Sequence, residues 1–126
     1  MTKEEQDKIV IEVAQCAREV YDALGHGFQE TVYKRALSTE MMLRGIEHQR
    51  EFRVPLFYKC VDVGQKRVDF LVEGKIPVEV TAFVNLADVH LEQALRYMKA
   101  YNFGIGLLIN FGAEGLKIRK ILTKNT

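Results

Sequence analysis

The tightest constraint on how this chain folds is a gap of three residues. Two β-rich runs, Arg67 to Val72 and Ile76 to Ala82, are separated only by Glu73, Gly74 and Lys75, a connection of the length that joins antiparallel neighbours in a hairpin. That loop length sets Asp69 opposite Glu79. Side chains alternate along a strand, so Glu79 and Thr81 share one face while Val78 and Val80 share the other with the apolar core. Asp69 joins the face of Glu79. Two carboxylates brought together repel and raise each other's pKa unless a divalent cation neutralises them, and oxygen donors at that density suit Mg2+ or Mn2+. The plain alternative is that both acids are solvent-facing residues of a one-sided antiparallel sheet.

The hairpin sits within an ordered succession of elements. Thr2 and Glu5 have capping-box spacing, and Ile9, Val13, Cys16, Ala17, Val20, Tyr21 and Leu24 recur every three or four positions up to Gly25, which predicts a first helix. After a turn at Gly25 to Gly27, helical spacing resumes through Val32, Tyr33, Ala36, Leu37 and Met41 until Gly45. From Phe52 the period changes: Phe52, Val54, Leu56 and Tyr58 alternate with Arg53, Pro55, Phe57 and Lys59. This is a strand, with Pro55 pointing to a sheet edge and a turn expected around Gly64. Asp88 is a candidate cap for a third helix with Leu91, Ala94, Leu95 and Met98 as its buried stripe, ended by Asn102 and Gly104. Gly104 to Phe111 reads as a fully buried strand, Leu116 and Ile118 as a last short one, and the tail LTKNT as frayed. The predicted order is ααβββαββ.

A chain of 126 residues with 48% hydrophobic content buries one core, so residues 1–126 are expected to form a single domain. Its 18 Lys and Arg nearly balance 17 Asp and Glu. Bulk charge therefore draws it toward neither nucleic acid nor anionic membrane, and any such affinity rests on a local patch. The opening MTKEEQDK lacks the apolar core of a secretory signal. The longest apolar run, Phe103 to Phe111, is broken by two glycines and flanked by Asn102, with Asn110 inside it, so no membrane partner is expected and the location is taken as cytoplasmic. Cys16 and Cys60 have neither zinc-binding nor CxxC spacing and read as unpaired thiols.

Polar residues at helical spacing surround the acid pair. His90, Gln93 and Tyr97 fall at i, i+3 and i+7, a stripe beside that of Leu91, Leu95 and Met98. In the second helix Glu30 shares a stripe with Tyr33 and Leu37, and an acid on a packing stripe needs a partner if it is buried. Each of these also has a structural reading. His90 suits a helix start, hydrogen-bonded to Asp88 or to backbone; Tyr33 and Tyr97 suit amphipathic core positions; Arg67 can meet a phosphate or simply neutralise nearby acids.

Four segments together resemble a known family. GHGFQETVYKRAL (residues 25–37) resembles the opening of the GxxExxY proteins, a group within the PD-(D/E)xK nuclease superfamily. RVDFLVEGKIPVEVTA (67–82) resembles its RxD and ExK strands, HLEQALRYMK (90–99) its QxxxY helix, and GLLINFG (106–112) its closing strand. The motifs occur in the family's order across roughly residues 5 to 122.

The resemblance implies an α/β (α+β) restriction-endonuclease-like core, with a mixed, mainly antiparallel sheet flanked by helices and with Asp69, Glu79 and Glu30 converging at one edge. It implies that Asp69, Glu79 and the carbonyl of Val80 ligate Mg2+ or Mn2+ with help from Glu30. Gln93 and Tyr97, with Arg67, His90 and Tyr33 nearby, would contact a substrate, expected to be DNA.

One position breaks the pattern. Two residues after Glu79 the family carries lysine, and here it is Thr81. Losing one preorganised donor costs on the order of 10²- to 10³-fold in rate. Lys99 lies about 240° around the helix from Gln93, Lys75 is a turn residue, and Lys34 with Arg35 reads as a solvated face, so none replaces it. The expectation is a metal-dependent nuclease-fold protein with cleavage weakened or lost. The competing expectation is a non-catalytic nucleic-acid-binding or protein-interaction module that retains the scaffold.

Overall fold

The computed structural model describes residues 1–101 and 103–122. Its order is the predicted ααβββαββ: α1 Lys3–Leu24, α2 Glu30–Leu43, β1 His48–Tyr58, β2 Val61–Val72, β3 Ile76–Thr81, α3 Asp88–Tyr101, β4 Ile105–Gly112 and β5 Gly115–Leu122. Thr2 caps α1 by accepting the Glu5 N–H at 3.1 Å, and Gly25 ends the helix at φ 70, where a Cβ is unfavourable.

The strands lie side by side in chain order, with β3 and β4 parallel and the other neighbours antiparallel. A parallel pair needs a crossover, and α3 provides it. Helices α1 and α2 cover one face, where Val13, Cys16, Leu37 and Met41 pack on Phe70, Val78, Val80 and Ile109. Helix α3 covers the other, where Ala94 and Met98 meet Val54, Val68, Leu108 and Ile121. Strand β4, covered on both sides, is buried along its length, which is why its sequence is apolar without alternation. The glycines of its GLLINFG segment have steric reasons: a Cβ at Gly106 would overlap the Met98 side chain, and one at Gly112 would strike the carbonyl of Phe83.

The first hairpin differs from expectation. Strand β1 begins at His48 rather than Phe52, and the chain reverses at Lys59 and Cys60, between paired Tyr58 and Val61. Both turn residues take left-handed φ, 49 and 66, as a two-residue hairpin turn demands. Gly64 lies inside β2 at a bulge, where Leu56 pairs with Gly64 and Phe57 with Asp62. Its φ is 143, and the Asp62 carboxylate accepts its N–H at 3.0 Å. A glycine within a strand pattern marks such a bulge as readily as a turn. Pro55 is on edge strand β1, as expected. Strand β5 runs longer than Leu116 and Ile118 suggested because it pairs with β4 throughout. The helix stop read at Asn102 and the tail beyond Leu122 fall outside the described residues. Among the described residues no helix is long and apolar enough to cross a membrane.

Candidate active site

The site forms where two inner strands part. The β2–β3 ladder comprises Val72 with Ile76, Leu71 with Pro77 and Phe70 with Val78. One further step in that register sets Asp69 against Glu79, but the ladder ends first. The Val80 N–H, the next β3 donor on that side, goes instead to the Asp69 carboxylate, Oδ2 accepting at 2.8 Å. A residue's N–H and C=O leave a strand on the same side, so the Val80 carbonyl faces this gap too. Asp69 also marks a change of face along β2: Val68 packs with α3, whereas Phe70 packs with α1 and α2. Its carboxylate is thereby open to groups from both layers.

From the α2 layer comes Lys34. Its Nζ is 2.8 Å from Glu30 Oε1 and 2.9 Å from Asp69 Oδ1, and its side chain is only 17% exposed. The solvated-face reading of Lys34 is therefore corrected. Helical spacing makes Glu30 and Lys34 neighbours at i, i+4, but where that stripe sits on the sheet depends on how α2 docks. Burial pulls the Lys34 ammonium toward neutrality; hydrogen bonds to Glu30 and Asp69 outweigh it and hold the pKa above its ordinary value. Glu30 thus meets Asp69 through a cation. The expected convergence of three carboxylates at a sheet edge does not form: the site lies between inner strands, and among the described residues no group of three or more His, Cys, Asp or Glu is placed to hold a metal.

From the α3 layer comes Tyr101, whose hydroxyl donates to Glu79 Oε1 at 2.9 Å. Burial, and then the charge of Asp69, push the Glu79 carboxyl up to about 8. Burial and Glu79 in turn push the Tyr101 phenol up, so it remains a neutral donor. Tyr101 escaped the sequence reading, although it continues the Gln93–Tyr97 spacing by one more turn.

Beside Glu79 opens a cleft of about 120 Å³ lined by Lys66, Glu79, Thr81, His90, Gln93 and Tyr97, among others. Gln93 Nε2 donates to the Tyr97 hydroxyl at 3.1 Å, and Lys66 Nζ stands 4.7 Å from the Tyr97 ring centroid. Lys66 was also missed; its signal is that it shares the α3-facing side of β2 with Val68. His90 stacks on Phe83 at 3.7 Å, and its Nδ1 accepts the Ala87 N–H at 3.2 Å. Its backbone-bonded reading holds, with Ala87 rather than Asp88 as the cap, since the Ala87 carbonyl accepts the Leu91 N–H. In the neutral ring Nε2 then carries the hydrogen and is left as a donor.

Three expected site residues have other work. Thr81 lines the cleft, but its hydroxyl donates to Asn110 Oδ1 at 2.8 Å, and the same oxygen accepts the Phe83 N–H at 2.8 Å. Arg67 pairs with Glu51 at 2.9 Å, both side chains largely exposed. Tyr33 is fully buried: its hydroxyl donates to the Gly25 carbonyl at 2.6 Å, and its ring stacks on Phe111 at 4.6 Å. It pins the turn between α1 and α2 and offers no surface to a substrate.

The five-stranded, mostly antiparallel sheet flanked by helices in the order ααβββαββ is consistent with a nuclease-like fold. A family model described as the PD-(D/E)XK nuclease superfamily matches residues 7–121, and the chain belongs to that superfamily. Its members generally use divalent metals and bind nucleic acid. The crystal structure of SSO0001 is similar at 17% identity and a TM-score of 0.45; the match covers 90% of this chain and spans 66% of that one. No curated protein matches the chain.

Proposed function

We propose that this chain is a Mg2+- or Mn2+-dependent phosphodiesterase of the GxxExxY type acting on DNA, with turnover weakened because Thr81 occupies the motif-lysine position. The observation that carries this reading is the juxtaposition of Asp69 and Glu79 at the strand split beside the cleft. The donor set fits a hard divalent cation: Asp69, Glu79 and the carbonyl of Val80 are oxygen donors facing one gap. The partner of Glu79, Tyr101, gives a hydrogen bond without charge. Asp69, Glu79 and Val80 would hold the ion, with Glu30 standing behind Lys34. When bound, such an ion polarises a phosphoryl oxygen and lowers the pKa of water.

The chain's own groups supply the remainder. Gln93 and Tyr97 hold the substrate backbone, the His90 Nε2–H donates into the cleft, and Lys66 brings positive charge beside them. Residues 48–68 carry Arg50, Arg53, Lys59, Lys66 and Arg67 against Glu51 and Asp62, the local basic excess that a near-neutral chain needs for phosphate contacts. The second reading, a module that binds without cleaving, is favoured by the engagement of the Thr81 hydroxyl with Asn110.

The test is Mn2+ titration of wild type and Asp69→Ala, followed by incubation of both with single- and double-stranded DNA. Asp69-dependent Mn2+ binding and slow Asp69-dependent cleavage are expected. Absence of Asp69-dependent binding refutes the metal site. Binding without cleavage above the Asp69→Ala background favours the module.

A further inference from the structure

We infer that Lys34 supplies, from helix α2, the cation that the family motif places on β3 at the position of Thr81. The inference rests on the nuclease reading above and deepens it. Among the described residues Lys34 is the one cation in ion-pair contact with Asp69 or Glu79, at 2.9 Å from Asp69 Oδ1. The other nearby lysine, Lys66, has its Nζ over the Tyr97 ring and donates to the Arg67 carbonyl at 3.1 Å. Lys34 therefore stands at the acid pair, and Lys66 in the cleft beside it.

The two oxygens of Asp69 divide their partners. Oδ2 takes the Val80 N–H, which fixes the carboxylate against β3, and Oδ1 takes Lys34. Lys34 does not bridge the acid pair, because its second partner is Glu30, not Glu79. It is therefore an addition to a cation at Asp69 and Glu79 and not a substitute for one. An ammonium has three N–H donors. Two are directed at Glu30 and Asp69, and the third is left for an attacking water or a non-bridging phosphate oxygen. Solvent reaches this side, since Glu30 is 46% exposed.

In the hydrolysis the water oxygen bonds to phosphorus and the bond to one ester oxygen breaks. The water gives up a proton to solvent, and the departing oxygen takes one to leave as a hydroxyl. Lys34 stays an ammonium throughout; it orients the nucleophile and offsets charge on the phosphate. Supplied from a helix, this cation takes over part of the motif lysine's work without the sequence pattern showing it.

The experiment compares wild type, Lys34→Met, Lys34→Met/Thr81→Lys and Asp69→Ala for Mn2+-dependent cleavage of double-stranded DNA, with Mn2+ affinity and thermal melting measured on each. Lys34→Met is expected to lower the rate by about 10²-fold or more while Mn2+ affinity changes little, and adding Thr81→Lys is expected to restore part of that loss. A purely structural ion pair would not be rescued from β3. If Lys34→Met cleaves like wild type while Asp69→Ala is dead, the inference fails and the nuclease reading stands. If Lys34→Met binds Mn2+ more tightly and cleaves faster, Lys34 competes with the metal and the inference is overturned. If wild type shows Asp69-dependent Mn2+ binding but no cleavage, Lys34 does not supply the cation. If wild type and Asp69→Ala match in both assays, the nuclease reading itself falls.

Discussion

Replacing Glu79 by glutamine removes a proton imbalance between the folded and unfolded chain. Burial and Asp69 raise the folded carboxyl from 4.5 to about 8. Between those values the native state holds a proton that the unfolded chain gives up, so stability of the metal-free protein is lost as pH rises through this window. At pH 7 the unfolded carboxyl has been released over roughly 2.5 pH units, which at 1.36 kcal/mol per unit sets a ceiling of about 3 kcal/mol on the penalty.

Glutamine keeps an oxygen to accept the Tyr101 hydroxyl and an N–H to donate toward Asp69. Glu79→Gln is therefore expected to stabilise the chelator-treated protein by about 2 kcal/mol at pH 7, a rise in Tm of roughly 5 to 10 °C. The gain should shrink toward zero near pH 5 and reach its full size near pH 8. Urea and thermal denaturation in EDTA across that range measure it. A variant no more stable than wild type at pH 7, or a gap that does not widen with pH, would refute the reasoning that Glu79 holds a buried proton.

Other substitutions separate the roles of neighbouring groups. Asn110→Ala takes the side-chain partner from both the N–H and the carbonyl of Phe83, leaves the Thr81 hydroxyl only the Ile109 carbonyl at 3.5 Å, and should cost about 2 to 3 kcal/mol in urea denaturation. Tyr33→Phe should cost about 1 kcal/mol through the Gly25 hydrogen bond and leave DNA affinity unchanged in a fluorescence-anisotropy titration; a loss of affinity would return Tyr33 to the substrate surface. Lys66→Ala should weaken DNA binding and lower the slope of log K against log salt by about one, with Mn2+ affinity unaltered.

The parts of the molecule that were legible in the sequence are those governed by local period. Alternation in β3, the three-residue loop before it and the helical spacing of α1, α2 and α3 led to the right element order and to a hairpin register that ends one step short of Asp69 and Glu79. What was illegible depends on docking. Lys34 lies on a helix flank whose exposure is settled only by how α2 crosses the sheet. Lys66 becomes a cleft residue because β2 changes face at Asp69. The turn at Lys59 and Cys60 was hidden for another reason: neither residue advertises a left-handed conformation, whereas Gly64, which does, serves a bulge. Tyr33 was misassigned because a tyrosine in a motif gives no sign of whether its hydroxyl faces a ligand or a carbonyl of its own chain.

The short β2–β3 ladder has a mechanical meaning. Asp69 rides on the β1–β2 hairpin, which the pairs from Phe70–Val78 to Val72–Ile76 and the packing of α3 attach to the rest of the sheet. Glu79 belongs to the parallel pair with β4, in register with Leu108. The acid pair therefore spans a seam between an arm and a body. With Val80 tied to Asp69 and Lys34 reaching down from α2, the same few groups proposed to serve the chemistry also fasten the arm to the body.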